Sequence, residues 1–180
     1  ATALVVGVRG RKRAGYICLG TVNSVSEAQR DPAFRQVLNG SWLTTPDGMP
    51  LVWLAHRLGH RAVTRVYGPD LLLAVCDAGR AAGLRHYFFG GAPGVADELA
   101  RRLGARFPGL VVAGAESPPF RPLTAGEFAA FQARITAAQA DVVWVGLGTP
   151  KQDRFMAESW PHLDAGVMIG VGAAFDFHSG

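Results

Sequence analysis

Short apolar runs alternate along this chain with longer segments in which apolar residues recur at every third or fourth position. The runs are rich in β-branched and aromatic residues, as buried strands are, and the longer segments have the period of amphipathic helices. This alternation predicts an α/β fold: a single Rossmann-like domain over residues 1–180, with a mostly parallel sheet and helices on both faces. The predicted strands cover residues 4–8, 16–20, 86–90, 110–114, 141–146 and 166–172, with a shorter strand near Trp42.

Two patterns mark the beginnings of helices. Ser24 with Glu27, and Thr124 with Glu127, have the Ser/Thr-x-x-Glu spacing of a capping box, in which each side chain bonds the other residue's backbone amide. The Pro-rich stretch 116–124 is predicted to be a long loop. Apolar residues at helical spacing predict further helices over 49–59, 69–82, 94–106 and 151–160.

Three predicted strands run into glycines and then into a helix. Their sequences are "YFFGGAPGVADELARRL", "VVWVGLGTPKQDRFMAE" and "VMIGVGAAFDFHSG". Ligands of open α/β sheets bind at the carboxyl ends of the strands, where glycines let backbone amides and helix N-termini approach a phosphate. One such unit is explained equally well by a tight turn, but three in one chain favour a phosphate-bearing ligand.

Several motifs of phosphate-binding proteins are absent from the sequence. It contains no G-x-G-x-x-G followed by an acidic residue at the end of the next strand, and no G-x-x-x-x-G-K-[ST] loop. It also lacks the D-x-D pair with which many nucleotide-sugar enzymes hold a divalent metal. The prediction is therefore a diphosphate ligand bound by cations or backbone dipoles, with no metal and no cofactor.

Charge and cysteine content narrow the class of protein further. The 18 Lys and Arg residues against 14 Asp and Glu give a formal charge of +4, which suits an anionic ligand but is too mild to predict a nucleic-acid partner. The basic run "RGRKR" (9–13) is interpreted as a solvated loop or a contact with an anionic lipid surface. Cys18 and Cys76 lie in apolar runs, so we expect buried thiols in a reducing compartment.

The sequence has no apolar stretch long enough to span a bilayer and no pattern of a signal peptide at its start. We therefore expect a cytoplasmic protein, or one peripheral to the cytoplasmic face of the cell membrane. The oligomeric state is left open, and a homo-oligomer is compatible with the sequence.

Asp47 stands between a proline and a glycine in "TTPDGMPLVW" (44–53), just ahead of an apolar run. Pro-Asp-Gly is a favoured turn sequence, because proline presets φ, the Asp side chain bonds its own backbone and glycine accepts positive φ. Asp47 is therefore either a turn former or a carboxylate that the turn presents to a ligand.

Six motifs, in this order and spacing, resemble those of the bacterial WecG/TagA/CpsF glycosyltransferases, the N-acetylmannosaminyltransferase family. They are "GTVNSV" (20–25), "TPDGMPLVW" (45–53), "RVYGPDL" (65–71), "FFGGAPGVA" (88–96), "VGLGTPKQD" (145–153) and "GVGAAFDFHSG" (170–180). The resemblance implies an inverting, metal-independent transfer of a sugar, most commonly N-acetylmannosamine, from a UDP-sugar to an undecaprenyl-diphosphate-linked sugar. The products belong to teichoic acid or other cell-surface polysaccharides.

The resemblance also assigns roles to residues of the site. Asp47 matches the aspartate proposed as the catalytic base, which favours the view that the turn presents it. Arg65, Lys151 and the amides around Gly90 and Gly91 are candidates for stabilising the departing UDP.

Other matched residues are expected to bind substrate. Thr21 and Asn23 match the family's T-x-N on the acceptor side, although Asn23 is also explained as a turn residue before a Ser24 cap. Gln152 matches a P-K-Q glutamine whose amide is suited to sugar hydroxyls. Asp70 is either a substrate contact or a helix N-cap.

Two departures from the family are expected to matter. Members usually have an amphipathic helix between the first strand and the T-x-N segment, whereas "GVRGRKRAGY" alone bridges them here. Members also continue into a basic, membrane-associating C-terminal appendage, whereas this sequence stops at Gly180, so it is expected to be an incomplete form. The alternative function is therefore a non-catalytic nucleotide-sugar-binding or scaffold protein with the same fold.

Overall fold

A computed structural model of the chain describes residues 1–9 and 14–180. Its strands form one six-stranded sheet in which every pair is parallel, in the order β2-β1-β6-β5-β3-β4. The strands are β1 (Gly15–Gly20), β2 (Leu43–Pro46), β3 (Arg85–Gly90), β4 (Val111–Glu116), β5 (Val142–Gly146) and β6 (Val167–Gly170).

Helices cover both faces of this sheet. They are α1 (Thr2–Val6), α2 (Val22–Arg30), α3 (Pro32–Asn39), α4 (Met49–Arg57), α5 (Gly68–Gly79), α6 (Val95–Arg106), α7 (Ala125–Ala138), α8 (Lys151–Ser159) and α9 (Ala174–Ser179). Helices α1, α5, α6 and α9 pack on one face, and α2, α3, α7 and α8 pack on the other. Helix α4 lies beside the edge strand β2.

The apolar core therefore has two layers, one on each side of the sheet. Trp144 and Phe88 contribute to one layer and Val143 and Phe89 to the other, all at most 2% exposed. Successive residues of a strand point to opposite faces, so a strand that is covered on both sides reads as a continuous apolar run. The predicted fold class is confirmed.

The predicted strand at 4–8 is wrong, because residues Thr2–Val6 form helix α1. Val5 and Val8 are buried and three positions apart, a spacing that suits a helix packed on α5, but five residues are too few to separate this period from that of a strand. The other predicted strands are confirmed within two residues at each end. The first strand of the sheet is β1, which ends at Gly20 and leads directly into Thr21. The missing helix noted between the first strand and the T-x-N segment depends on a first strand at residues 4–8. With no strand at 4–8, that departure from the family has no basis.

The basic run at 9–13 lies outside the described residues apart from Arg9. The guanidinium group of Arg9 forms an ion pair with Asp141 at 3.6 Å. The lipid contact considered for this run therefore stays a prediction.

Helix capping differs from the sequence prediction at one of two positions. Thr21, not Ser24, caps α2: its hydroxyl accepts from the Ser24 amide at 3.3 Å, and its own amide donates to the Ser24 hydroxyl at 3.1 Å. The capping box of Thr124 and Glu127 is confirmed. Helix α3 was not predicted, although Asp31 before Pro32 is an N-cap signal and its carboxylate accepts from the next two amides.

The three glycine-containing connections are confirmed and lie together at the carboxyl edge of the sheet. The chain leaves β3 toward the edge strand β4, whereas it leaves β5 in the opposite direction toward β6. Adjacent strands whose connections diverge in this way open a crevice at their carboxyl ends, the usual ligand position in such sheets.

Candidate active site

A cavity of about 280 Å³ lies at the carboxyl ends of β1, β2 and β6. Of the residues predicted from the sequence, it brings together Thr21, Asp47 and Gln152. Backbone from the β5–α8 and β6–α9 connections forms much of the remaining wall, with Tyr67 and Phe177. Its lining therefore combines hydroxyl, carboxylate and amide groups with one half-buried aromatic side chain, Tyr67, and one exposed one, Phe177.

Asp47 directly follows β2, and its backbone is fixed on both sides. Its amide donates to the Gly20 carbonyl at 2.8 Å, and its carbonyl accepts from Arg65 Nε at 2.6 Å. Gly48 has φ −100° and caps α4, so Pro46-Asp47-Gly48 is a strand-to-helix connection that does not use a left-handed glycine. These two bonds hold the backbone of the connection, and the Asp47 side chain lines the cavity.

The carboxylate of Asp47 is partly buried, and its Oδ1 atom has no hydrogen-bond partner among the described residues. Burial raises the pKa of Asp47 above its ordinary value, while Arg65 and the nearby Gly68 amide act in the opposite direction. A buried acceptor without a partner costs about 1–3 kcal/mol. Asp47 therefore lines the cavity with unused acceptor capacity.

Arg65 is the cation next to Asp47. Its side chain is exposed, and its guanidinium carbon lies 4.3 Å from the centre of the Tyr67 ring. Stacking on the ring and the bond to the Asp47 carbonyl hold the guanidinium beside the cavity. Arg65 and Asp70 line an adjoining open cavity of about 340 Å³.

Of three predicted substrate contacts, Thr21 lines the Asp47 cavity, whereas Asn23 and Asp70 do not. Asn23 is exposed in the first turn of α2. The interpretation of Asn23 as a turn residue before a Ser24 cap is wrong, because it lies inside α2. Asp70 is not an N-cap either: Tyr67 holds that position, and Asp70 is exposed in the first turn of α5.

Gln152 joins two of the connections around the cavity. Its side chain is only 3% exposed; its Nε2 donates to the Thr149 hydroxyl at 3.3 Å, and its Oε1 accepts from the Gly172 amide at 3.0 Å. These bonds tie the β5–α8 connection to the β6–α9 connection. Gln152 therefore shapes the cavity wall whether or not it also contacts a sugar.

Lys151 lies on the opposite side of the β5–α8 connection from Gln152. It lines a third cavity, of about 390 Å³, whose walls include Phe89, Phe128 and Phe155 and which we call the aromatic cavity. The ammonium group lies 5.7 Å from the centre of the Phe120 ring. Lys151 is therefore not part of the Asp47 cavity, although one connection forms a wall of both.

Gly90 and Gly91 have a structural use that the sequence did not reveal. A Cβ atom on Gly90 would lie 2.5 Å from the Gly146 carbonyl oxygen, and the φ of Gly90 is +151°. The Gly91 amide donates to that same carbonyl at 2.9 Å, so this amide already has a hydrogen-bond partner. Close approach of β3 and β5 is sufficient reason for Gly90, whereas Gly91 has a φ of +72° and a Cβ there would lie 2.5 Å from a methyl group of Val95. The predicted contact of both glycines with UDP stays a prediction.

Comparison with known proteins identifies the family. The model of the glycosyl transferase WecG/TagA/CpsF family matches residues 2–180, nearly the whole chain. The chain belongs to this family. It is 30% identical over 155 residues to a protein of Bacillus spizizenii named N-acetylglucosaminyldiphosphoundecaprenol N-acetyl-beta-D-mannosaminyltransferase. A Bacillus subtilis strain 168 protein of the same name is 26% identical over 154 residues.

These matches cover most of the chain but less than two thirds of each relative. They include 86% and 85% of this chain, respectively, and 58% of each relative. The chain thus spans less than two thirds of the length of these WecG/TagA/CpsF relatives. Their names describe transfer of N-acetylmannosamine to a diphosphoundecaprenol-linked sugar.

One residue beside the site of this WecG/TagA/CpsF chain was not predicted to matter: Asp153, in the first turn of α8. It is 1% exposed, and neither carboxylate oxygen has a hydrogen-bond partner within the described part of the chain. Burial raises the pKa of Asp153, and the nearby Cys18 thiol and Thr149 hydroxyl act in the opposite direction. No local sequence signal reveals this burial, because it arises where α8 packs on β1.

The described residues contain neither a metal-binding cluster nor a membrane-spanning helix. No three His, Cys, Asp or Glu side chains there are grouped so that they could hold a metal ion. None of the helices in residues 1–9 and 14–180 is long and apolar enough to cross a bilayer. Cys18 and Cys76 are both free and buried, as predicted.

Proposed function

We propose that this chain transfers a sugar, N-acetylmannosamine, from a UDP-sugar to a polyprenyl-diphosphate-linked sugar, with inversion and without a metal ion. The observation that carries the proposal is Asp47, a partly buried carboxylate with an unpartnered oxygen in a cavity at the carboxyl edge of the sheet. The names of the Bacillus relatives supply the sugar and the class of acceptor.

In the proposed reaction Asp47 is the general base. It takes the proton from the acceptor hydroxyl while the hydroxyl oxygen bonds to the anomeric carbon of the donor, on the face opposite the diphosphate. The bond between that carbon and the diphosphate oxygen breaks, and UDP leaves with the electron pair. A base whose pKa is raised by burial binds the proton more strongly, which favours this transfer as long as the group is ionised at the working pH.

The departing UDP requires positive charge already in place, since the proposal includes no metal ion. Arg65 is suited to this task because Tyr67 and the Asp47 carbonyl fix its position. A fixed guanidinium needs little reorganisation as negative charge develops on the leaving group. We assign this stabilisation to Arg65, which lines the open cavity adjoining the Asp47 cavity, together with Lys151, which lines the aromatic cavity.

The aromatic cavity beside Lys151 supports a nucleotide donor. Its aromatic walls offer faces on which a nucleobase can stack, and Lys151 offers a cation for phosphate. The β5–α8 connection forms one wall of this cavity and one wall of the Asp47 cavity. We place the nucleoside in the aromatic cavity and the sugar near Asp47.

A lipid-linked acceptor also bears on location. The acceptor in the relatives' names is attached to undecaprenol, which resides in a membrane. We therefore propose that the protein acts as a peripheral protein at the cytoplasmic face of the membrane, where a UDP-sugar and such an acceptor meet.

A panel of UDP-sugars tests the proposal. A ligand present at about 100 times its Kd raises the free energy of unfolding by about 2.7 kcal/mol, so the correct donor should raise the melting temperature. Transfer is then measured with a short-chain polyprenyl-diphosphate acceptor that carries N-acetylglucosamine. Failure of every UDP-sugar to stabilise the fold would contradict the donor assignment.

Hydrolysis of the donor in water separates the enzyme from a non-catalytic binding protein. An enzyme with an intact donor site and base should release free sugar slowly even without an acceptor. Binding of the donor with neither transfer nor hydrolysis above the uncatalysed rate would favour the binding protein instead.

A further inference from the structure

Helix α4 turns an apolar face outward. Its side chains Met49, Trp53 and Leu54 are 40%, 63% and 50% exposed, and Leu58, which caps its C-terminus, is 67% exposed. Val52 is the buried residue of this helix, which packs beside β2. An amphipathic helix at a protein surface normally faces solvent with polar side chains, whereas α4 is apolar on its outward side as well as at the buried Val52.

The outward apolar face of α4 lies in a segment that carries only positive charge. Residues 48–69 contain three arginines and two histidines and no Asp or Glu. Arg57, on the outward side of α4, and Arg61, in the following loop, are exposed and form no ion pair with any described residue. Exposed apolar side chains mixed with unpaired arginines suit a surface that is both apolar and negatively charged.

The position of this segment relative to Asp47 is the third observation. Helix α4 begins two residues after Asp47, at the end of the connection that a hydrogen bond from the Asp47 amide ties to β1. Whatever binds the outward face of α4 is therefore held next to the Asp47 cavity. If Asp47 acts on an acceptor attached to a polyprenyl chain, the membrane that carries the acceptor must approach this same side.

We propose that the outward face of α4 docks on an anionic lipid bilayer, with Trp53, Leu54 and Leu58 entering the interface and Arg57 and Arg61 at the headgroups. This inference rests on the proposed function, which supplies the lipid-linked substrate. Tryptophan is enriched at the boundary between headgroups and acyl chains, and basic residues are attracted by anionic lipids. The docking would place the acceptor hydroxyl at the cavity without a membrane-spanning segment.

Vesicle binding tests the proposal. The chain is sedimented with vesicles of phosphatidylcholine plus phosphatidylglycerol and, in parallel, with vesicles of phosphatidylcholine alone. We expect binding to the anionic vesicles, at least tenfold weaker binding for Trp53→Ser, and weaker binding for the double variant Arg57→Gln/Arg61→Gln. Phe120→Ser is the matched control, because Phe120 is an aromatic residue 88% exposed elsewhere, and it should bind as the wild type does.

Brominated lipids identify the docked residue directly. They should quench the fluorescence of the wild type, whereas Trp53→Phe should keep vesicle binding and lose most of the quenching, since Trp42, Trp144 and Trp160 remain. Equal binding by the wild type and Trp53→Ser would overturn the proposal, as would binding without quenching. So would a dimer that dissociates on Trp53→Ser and does not bind vesicles, because the face would then join two copies of the chain.

Donor hydrolysis separates failure of the docking proposal from failure of the proposed function. Donor hydrolysis in solution requires no membrane, so Trp53→Ser should hydrolyse a UDP-sugar at the wild-type rate. Normal hydrolysis without vesicle binding would overturn the docking surface and leave the assignment of Asp47 intact. Vesicle binding without hydrolysis would contradict the function instead.

Discussion

Replacing Asp153 with asparagine should stabilise the fold at neutral pH. The carboxylate is 1% exposed and neither oxygen has a hydrogen-bond partner of good geometry among the described residues. The native state therefore bears the cost of a buried charge, which the nearby Cys18 thiol and Thr149 hydroxyl offset only in part. Asparagine removes the charge at nearly constant volume but leaves polar side-chain atoms in the same buried position, so the gain should not exceed the cost of one unsatisfied buried group, about 1–3 kcal/mol. For a chain of this size each kcal/mol shifts the melting temperature by about 2–4 °C, so we expect a rise of at most roughly 12 °C.

The sign of the pH dependence follows from the raised pKa of Asp153. Between the ordinary aspartate pKa and the raised one, the folded state binds more protons than the unfolded state, so stability falls as pH rises through this window. The penalty is complete above the folded-state pKa and absent below the ordinary value. Asp153→Asn should therefore gain stability over the wild type at about pH 8 and gain little at about pH 4.

Urea unfolding of both proteins, followed by circular dichroism across this pH range, measures the difference. Asp97→Asn is the matched control, since Asp97 is also the third residue of its helix but is exposed. It should lose about 0.3–1 kcal/mol at neutral pH, because an N-terminal negative charge favours a helix. A loss of stability in Asp153→Asn at about pH 8, or a difference independent of pH, would refute the reasoning.

Three other predictions concern ligand binding. Arg65→Ala should weaken UDP-sugar binding in calorimetry and move the acid limb of the activity profile to higher pH, because Arg65 lowers the pKa of Asp47; unchanged affinity would remove it from the donor site. Donor affinity should persist in excess EDTA, and a tenfold loss that magnesium or manganese restores would contradict leaving-group stabilisation by Arg65. Thr21→Ala should lower the free energy of unfolding by about 0.5–2 kcal/mol and also weaken use of the acceptor. Thr124→Ala, which removes the corresponding capping residue of α7, should lower stability alone. Equal acceptor use by Thr21→Ala and the wild type would remove Thr21 from the site.

The sheet was predictable because its strands are buried on both faces and therefore have a distinctive local signature. The exception is α1, whose apolar run is too short for its period to be recognised; tertiary packing of Val5 and Val8 decides its conformation. The Thr21 cap was missed because the partner is Ser24, a hydroxyl, rather than the expected glutamate. Local rules thus failed where the choice depended on a neighbouring element or on an unusual partner.

The site was predictable in part for a similar reason. Family motifs identified Asp47, Thr21 and Gln152, which the structure gathers in one cavity. They did not reveal that Lys151 and Gln152 face different cavities. Consecutive residues of a helix do not point in the same direction, so these two side chains lie on different sides of α8. Nor could they reveal the burial of Asp153, which depends on how α8 meets β1.

The kinetics of Asp47→Asn test the central claim most directly. Asparagine preserves the connection after β2 and cannot accept the proton, so transfer, or donor hydrolysis, should fall by roughly 10²–10⁴, the usual contribution of a general base. Donor affinity should hold, and the melting temperature should be equal or higher, because burial raises the pKa of Asp47 and penalises its charged form. Near-wild-type kcat in a folded Asp47→Asn protein would contradict the assignment of Asp47 as the base.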